Sequence, residues 1–227
     1  MSNGYETPSY ETIRIDHPKL RKFAPLISPK AKPIKVKMSD KLRPEGCCYW
    51  NVAEEIEAHG GVPIYGWQIM YWPKRFIEAM HHAIWKMPDG TLVDVTAKYE
   101  SDPVKSHTVF IPDDRITISL EKPCFVQSKH FPFKDEPAIT EFISAYRNKN
   151  IAERAMAELS YKYGYRNQGQ KATAKGVCFD PSSIQFPLDF QREIAPIHAT
   201  FQYAMKQLGT AIRRIKALDA ANTRGGA

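Results

Sequence analysis

Hydrophobic and polar positions divide the chain into three stretches of different rhythm. Residues 1–46 keep no helical period; prolines punctuate them, and the segment reads as extended, with a short strand at Thr12–Ile15. Residues 47–60 then take up helical spacing. Val52 and Ile56 share a stripe, Glu54, Glu55 and Glu57 are polar, and Gly60-Gly61 supply a stop. From Val62 to about Ile118 aromatic and β-branched residues dominate. Strands are expected at Val62–Tyr71, Phe76–Met87, Thr91–Thr96, Thr108–Ile111 and Arg115–Ser119. Helical spacing returns at Ala138–Tyr146 and at Ile151–Tyr163, with Gly164 as a stop. Phe190–Ala221 reads as one or two long helices carrying Ile194, Phe201, Met205, Leu208, Ile212 and Ile215 on one side, and Asn222–Ala227 are expected to fray.

The order helix, sheet, helices predicts an α+β fold. It also suggests one domain over residues 1–227, in three parts: an extended basic arm at 1–46, a helix-plus-sheet core at 47–135 and a helical extension at 136–221.

Composition narrows the class. At 43% hydrophobic and 25% charged, the chain matches an ordinary globular protein rather than a disordered one. No apolar run approaches the roughly 18 residues of a membrane helix, and the N-terminus lacks the basic-then-apolar signature of a secretory signal. Four cysteines are too sparse for a disulfide framework, which points to free thiols and a cytoplasmic setting. The spacing of His59, His81 and His82 with Cys47 or Cys48 fits no standard zinc pattern, and no cofactor motif is present.

The formal charge is +7. Lys30, Lys32, Lys35 and Lys37 alternate with prolines and small apolar residues; such a run reads as solvated lysines or as an arm for nucleic acid or another polyanion. No nucleic-acid motif accompanies it. Arg213, Arg214 and Lys216 on the last helix read similarly, and the apolar stripe of that helix leaves room for a protein partner.

The candidate chemistry lies between Gly46 and Thr96. A thiol is nucleophilic as thiolate, and a helix N-terminus favours that charge. Cys47 and Cys48 both stand where a helix should begin; Cys48, Val52 and Ile56 are spaced to share the face turned to the sheet, which favours Cys48. Met87-Pro88-Asp89-Gly90-Thr91 is a turn signal. A three-residue loop, Pro88–Gly90, sets Met87 opposite Thr91 and puts His82 and Asp94 on one sheet face as diagonal neighbours. A two-residue turn would select His81 instead. The imidazole would take the thiol proton, and the carboxylate would hold the ring. Asn51, Trp67 and Gln68 are candidates for a second oxyanion donor. Trp85, with Trp50, Trp67, Tyr71 and Trp72, crowds the region as core or as an apolar substrate cleft.

Gly46-Cys47-Cys48, His82-Ala83-Ile84-Trp85 and Asp94-Val95-Thr96 together resemble the papain-like thiol enzymes in their transglutaminase-like arrangement. There a Gly-x-Cys opens a helix, a His-Ala motif lies on a strand and an Asp followed closely by Thr lies on the next. The usual Asp-Pro-Thr is Asp-Val-Thr here, and no glutamine stands just upstream of Cys48. The resemblance implies a papain-like core, a Cys-bearing helix packed on an antiparallel sheet, with Cys48 as nucleophile, His82 as base and Asp94 as orienting acid. It implies a hydrolase of an amide or peptide bond through a thioester. Acyl transfer on the same triad, or an inactive binding protein, are the alternatives.

Overall fold

The computed structural model describes residues 6–30, 32–99, 102, 106–165, 167–178, 180, 182 and 184–224. In chain order the elements are α1 (Pro18–Ile27), β1 (Ile34–Arg43), α2 (Cys48–His59), β2 (Val62–Trp72), β3 (Phe76–Lys86), β4 (Leu92–Thr96), β5 (His107–Pro112), β6 (Lys129–Pro132), α3 (Pro137–Lys162), α4 (Gln168–Ala174) and α5 (Leu188–Arg224). The α+β class stands. Of Asn222–Ala227, where fraying was expected, residues 222–224 are the end of α5, and residues 225–227 lie outside the described residues.

The sheet departs from the papain-like core that the resemblance implies. Its strands run β2-β5-β1-β4-β3-β6, and β2 also pairs with β3, so five strands close into a barrel with β6 appended to β3. Nor is it wholly antiparallel: β1 and β4 run parallel, with Lys37 opposite Val93 and Met38 opposite Asp94. Ile34, Val36, Ile64, Ile84, Leu92 and Phe110, drawn from all five strands, form one cluster that fills the barrel. Gly66 permits the closure. A Cβ there would lie 2.2 Å from the Ile111 carbonyl oxygen where β5 crosses β2.

Among the described residues of 1–46, a helix and an inner strand stand in place of the expected extended arm. Pro18 starts α1, the His17 ring accepts from the Lys19 N–H at 3.2 Å, and Leu20, Phe23, Ala24 and Ile27 form its buried stripe. That stripe packs on Trp67, Ile69, Ile77, Ala79, Val109 and Ile111, on the outer face of the barrel. β1 lies between β5 and β4, with Val36 and Met38 buried and Lys35 and Lys37 exposed. Lys35 and Lys37 of the run are therefore the solvent face of an inner strand, and Lys30 and Lys32 precede it. No strand forms at 12–15, where Glu11 alone bridges Tyr71, nor at 115–119, where Arg115 instead pairs with Asp113 at 2.7 Å.

The helical part is simpler than expected, because α3 runs unbroken through the two predicted segments and α5 is one helix of 37 residues. Ile139, Phe142, Leu208, Ile212 and Ile215 of these helices pack on Trp72 and Phe76. Arg75, buried in the turn between β2 and β3, fixes them there. Its guanidinium donates to Asp219 of α5 and to Glu136 at the head of α3, and the Trp72 indole donates to Asp219 at 3.0 Å. Of Arg213, Arg214 and Lys216 on α5, two are paired within the chain: Arg214 with Glu141 and Lys216 with Glu6.

Candidate active site

Gly46, at φ +79°, turns the chain into α2. Cys47 is the N-cap, and its carbonyl accepts the first helical bond from the Asn51 N–H at 2.9 Å. Its thiol is buried and directed at the Pro44 carbonyl and the Asn51 side-chain oxygen; burial, with the neighbouring Cys48 thiol, pushes its pKa up. Cys48 is the first helical residue and is only partly buried. Val52 and Ile56 face β3 and β4 as their spacing implies, in a cluster with Ala83, Trp85 and Val95.

The turn between β3 and β4 is the three-residue loop. The Gly90 N–H donates to Met87 and the Met87 N–H to Thr91, each at 2.9 Å, and Gly90 sits at φ +89°. Trp85 then pairs with Val93 and Lys86 with Leu92. This register puts His82 and Asp94 on one face, and His82 Nε2 lies 2.9 Å from Asp94 Oδ2. Cys48 and His82 line one hollow, and with Nε2 held by Asp94 the ring's Nδ1 is the nitrogen left for a further partner.

Asp94 is fully buried but well supplied with donors. The Thr96 N–H donates to Oδ1 at 3.1 Å; His82, Lys98 and Thr108 all reach Oδ2. Burial alone would raise its pKa, but the His82 ring, Lys98 and Thr108 hold it well below the usual carboxylate range. Burial alone would likewise lower His82; the Asp94 carboxylate and the Cys48 sulfur outweigh it and raise the ring to about 9.

His81 points elsewhere. Its Nδ1 lies 2.7 Å from the Tyr49 hydroxyl, and burial and the neighbouring His82 lower it to about 4, so it stays neutral. It ties the second residue of α2 to β3.

Three of the four expected substrate contacts have other work. Asn51 is fully buried, and its amide donates to Pro44 O at 2.7 Å and to Thr96 Oγ1 at 3.0 Å, fastening the turn before α2 to the end of β4. The Trp67 indole is spent on Asp113 at 2.9 Å, and the Trp85 indole on the Gly60 carbonyl at 2.9 Å. Gln68 alone of the four lines the hollow in front of Cys48, and its side-chain oxygen accepts from Lys98.

That hollow measures about 270 Å³. Cys48, His82, Gln68 and Lys98 line one side, and Tyr146 and Asn150 of α3 contribute to the other. Lys98 and Thr108 were invisible to spacing arguments. Lys98 lies past the end of β4, and Thr108 reaches Asp94 only because β1 stands between β4 and β5 in a closed barrel. Among the described residues no group of three or more His, Cys, Asp or Glu side chains is placed to hold a metal ion, and no helix is long and apolar enough to cross a membrane. Comparison of the chain with family models, with curated proteins and with solved structures finds no match in any of the three.

Proposed function

We propose that the protein is a cysteine-dependent hydrolase of amide or peptide bonds, with Cys48 as nucleophile, His82 as general base and Asp94 as the orienting acid. One observation carries this reading: a single buried imidazole is held by Asp94 on one nitrogen and lines the same hollow as a partly exposed, helix-opening thiol. His82, its pKa raised, holds on Nδ1 the proton that Cys48 gives up, and the thiolate attacks the substrate carbonyl carbon. The first N–H groups of a helix have no partner within it, and the Cys48 N–H is one donor for the oxyanion that forms. The imidazolium then passes its proton to the departing amine as the C–N bond breaks, leaving a thioester. Water, deprotonated by His82, attacks the thioester; the carboxylic acid leaves and the thiol is restored.

The resemblance to papain-like and transglutaminase-like enzymes extends to the order of helix, His strand and Asp strand, not to the closed barrel. The sulfur is partly exposed at an open hollow, where a thioester would be accessible to water, which favours hydrolysis over transfer to an amine. Alkylation with iodoacetamide at mildly acidic pH tests the site. Selective modification of Cys48 that disappears in His82→Ala is expected; equal, slow labelling of all four thiols would leave a binding protein instead.

A further inference from the structure

Lys98 has an unusual position for a cation. Its side chain is 6% exposed, and its Nζ lies 2.9 Å from Asp94 Oδ2 and 2.9 Å from Gln68 Oε1. The Asp94 oxygen it touches is the one that His82 Nε2 touches, also at 2.9 Å. The two nitrogens are therefore less than about 6 Å apart across one carboxylate, close enough for strong coupling in a poorly hydrated setting. An orienting acid shared in this way cannot give its whole charge to the imidazole.

We infer that Lys98 is a positioning residue of this site: by sharing Asp94 with His82 it fixes the carboxylate and moves the pH range in which the Cys48–His82 pair reacts toward acid. The inference rests on the reading of Cys48, His82 and Asp94 given above. The sign follows from charge alone. A nearby cation favours the unprotonated form of every neighbour, so it makes both the thiol and the imidazolium release their protons at lower pH. His82 meets Lys98 on one Asp94 oxygen, so the alkaline limb, which the imidazolium sets, is the one expected to move most. The other ionisable neighbours leave this role to Lys98. His81, beside His82 on β3, stays neutral and is bonded to Tyr49. Lys149, across the hollow on α3, is answered by Glu153 at 2.8 Å. Cys124, also on the wall, keeps its proton, raised to about 11 by burial and by the Cys48 sulfur. Asp102 lines the same hollow, and His107 on β5 is lowered by burial and by nearby lysines, Lys98 included.

The test is the pH profile of Cys48 alkylation by iodoacetamide and of its acylation by p-nitrophenyl acetate, each in wild type, Lys98→Met and Lys98→Arg. In Lys98→Met both limbs are expected to move to higher pH, the alkaline one by about one unit, and Lys98→Arg should restore them. A merely structural contact would lower the reactive fraction without moving the limbs. Unmoved limbs in a folded Lys98→Met protein, or limbs that Lys98→Arg fails to restore, would overturn the inference. If Lys98→Met does not fold, Lys98→Gln, which keeps a donor to Asp94 without the charge, must show the same displacement. A wild-type protein whose Cys48 shows no selective reactivity refutes the enzyme reading itself; selective reactivity without the displacement refutes only Lys98.

Discussion

His82 and Asp94, twelve residues apart in the chain, meet at 2.9 Å because a three-residue loop closed by Gly90 aligns their strands. Both groups are buried, so their titration is written into stability. Asp94 is depressed, so its contribution is present above its unfolded value near 3.8 and is lost as pH falls further. His82 is raised from 6.5 to about 9, so its contribution is complete below 6.5 and is lost as pH climbs through 9. The pair should therefore stabilise most between about pH 4 and 6.5. Thermal unfolding across pH should show a decline of up to about 3 kcal/mol from 6.5 to 9 that His82→Gln flattens. A His82→Gln protein with the same pH dependence as wild type would contradict the assignment.

The adjacent cysteines should separate cleanly. Cys48→Ala is expected to remove the fast alkylation while changing stability by less than about 1 kcal/mol, since the side chain is only partly buried. Cys47→Ser should leave fast alkylation intact and cost on the order of 1 kcal/mol, because the buried thiol sits among Trp50 and Ala174. Peptide mapping of the alkylated chain, with denaturant melts of both variants, checks this; fast labelling at Cys47 would reverse the choice.

Arg75 is expected to act on the helices without touching the chemistry. Arg75→Met would leave Glu136 and Asp219 without their shared cation, and since both carboxylates are partly exposed the cost should be about 1–3 kcal/mol. Hydrogen exchange should show the loosening concentrated in α3 and α5. Protection lost evenly over the barrel strands would place the guanidinium in a different role.

Removing residues 1–46 should unfold the protein rather than trim it, because β1 supplies pairs to both β4 and β5 and α1 covers Trp67. Circular dichroism of the truncated chain would show this directly. Whether the lysines hold a polyanion is then a matter for Lys30, Lys32, Lys35 and Lys37 changed to Gln in the full chain. Unchanged heparin retention is expected, since Lys35 and Lys37 lie on the outer face of a strand; a marked loss would restore the basic-arm reading.

Local order was written plainly in the chain. The aromatic and β-branched runs and the turn chemistry of residues 62–96 outlined β2, β3, β4 and the loop at Gly90 almost to the residue, and the stripe of Val52 and Ile56 outlined α2. From these alone Cys48, His82 and Asp94 could be named together, because hairpin register is a short-range property. What the sequence hid was long-range. Prolines disguised α1 and β1, since the first turn of a helix accepts proline and alternation in β1 was masked by lysine stems. Closure of the barrel, the parallel pairing of β1 with β4 and the arrival of Lys98 and Thr108 at Asp94 depend on which distant strand lies alongside which. So does the diversion of Asn51, Trp67 and Trp85: a buried donor takes whatever acceptor packing brings within reach, and that acceptor's identity is decided by the folded whole.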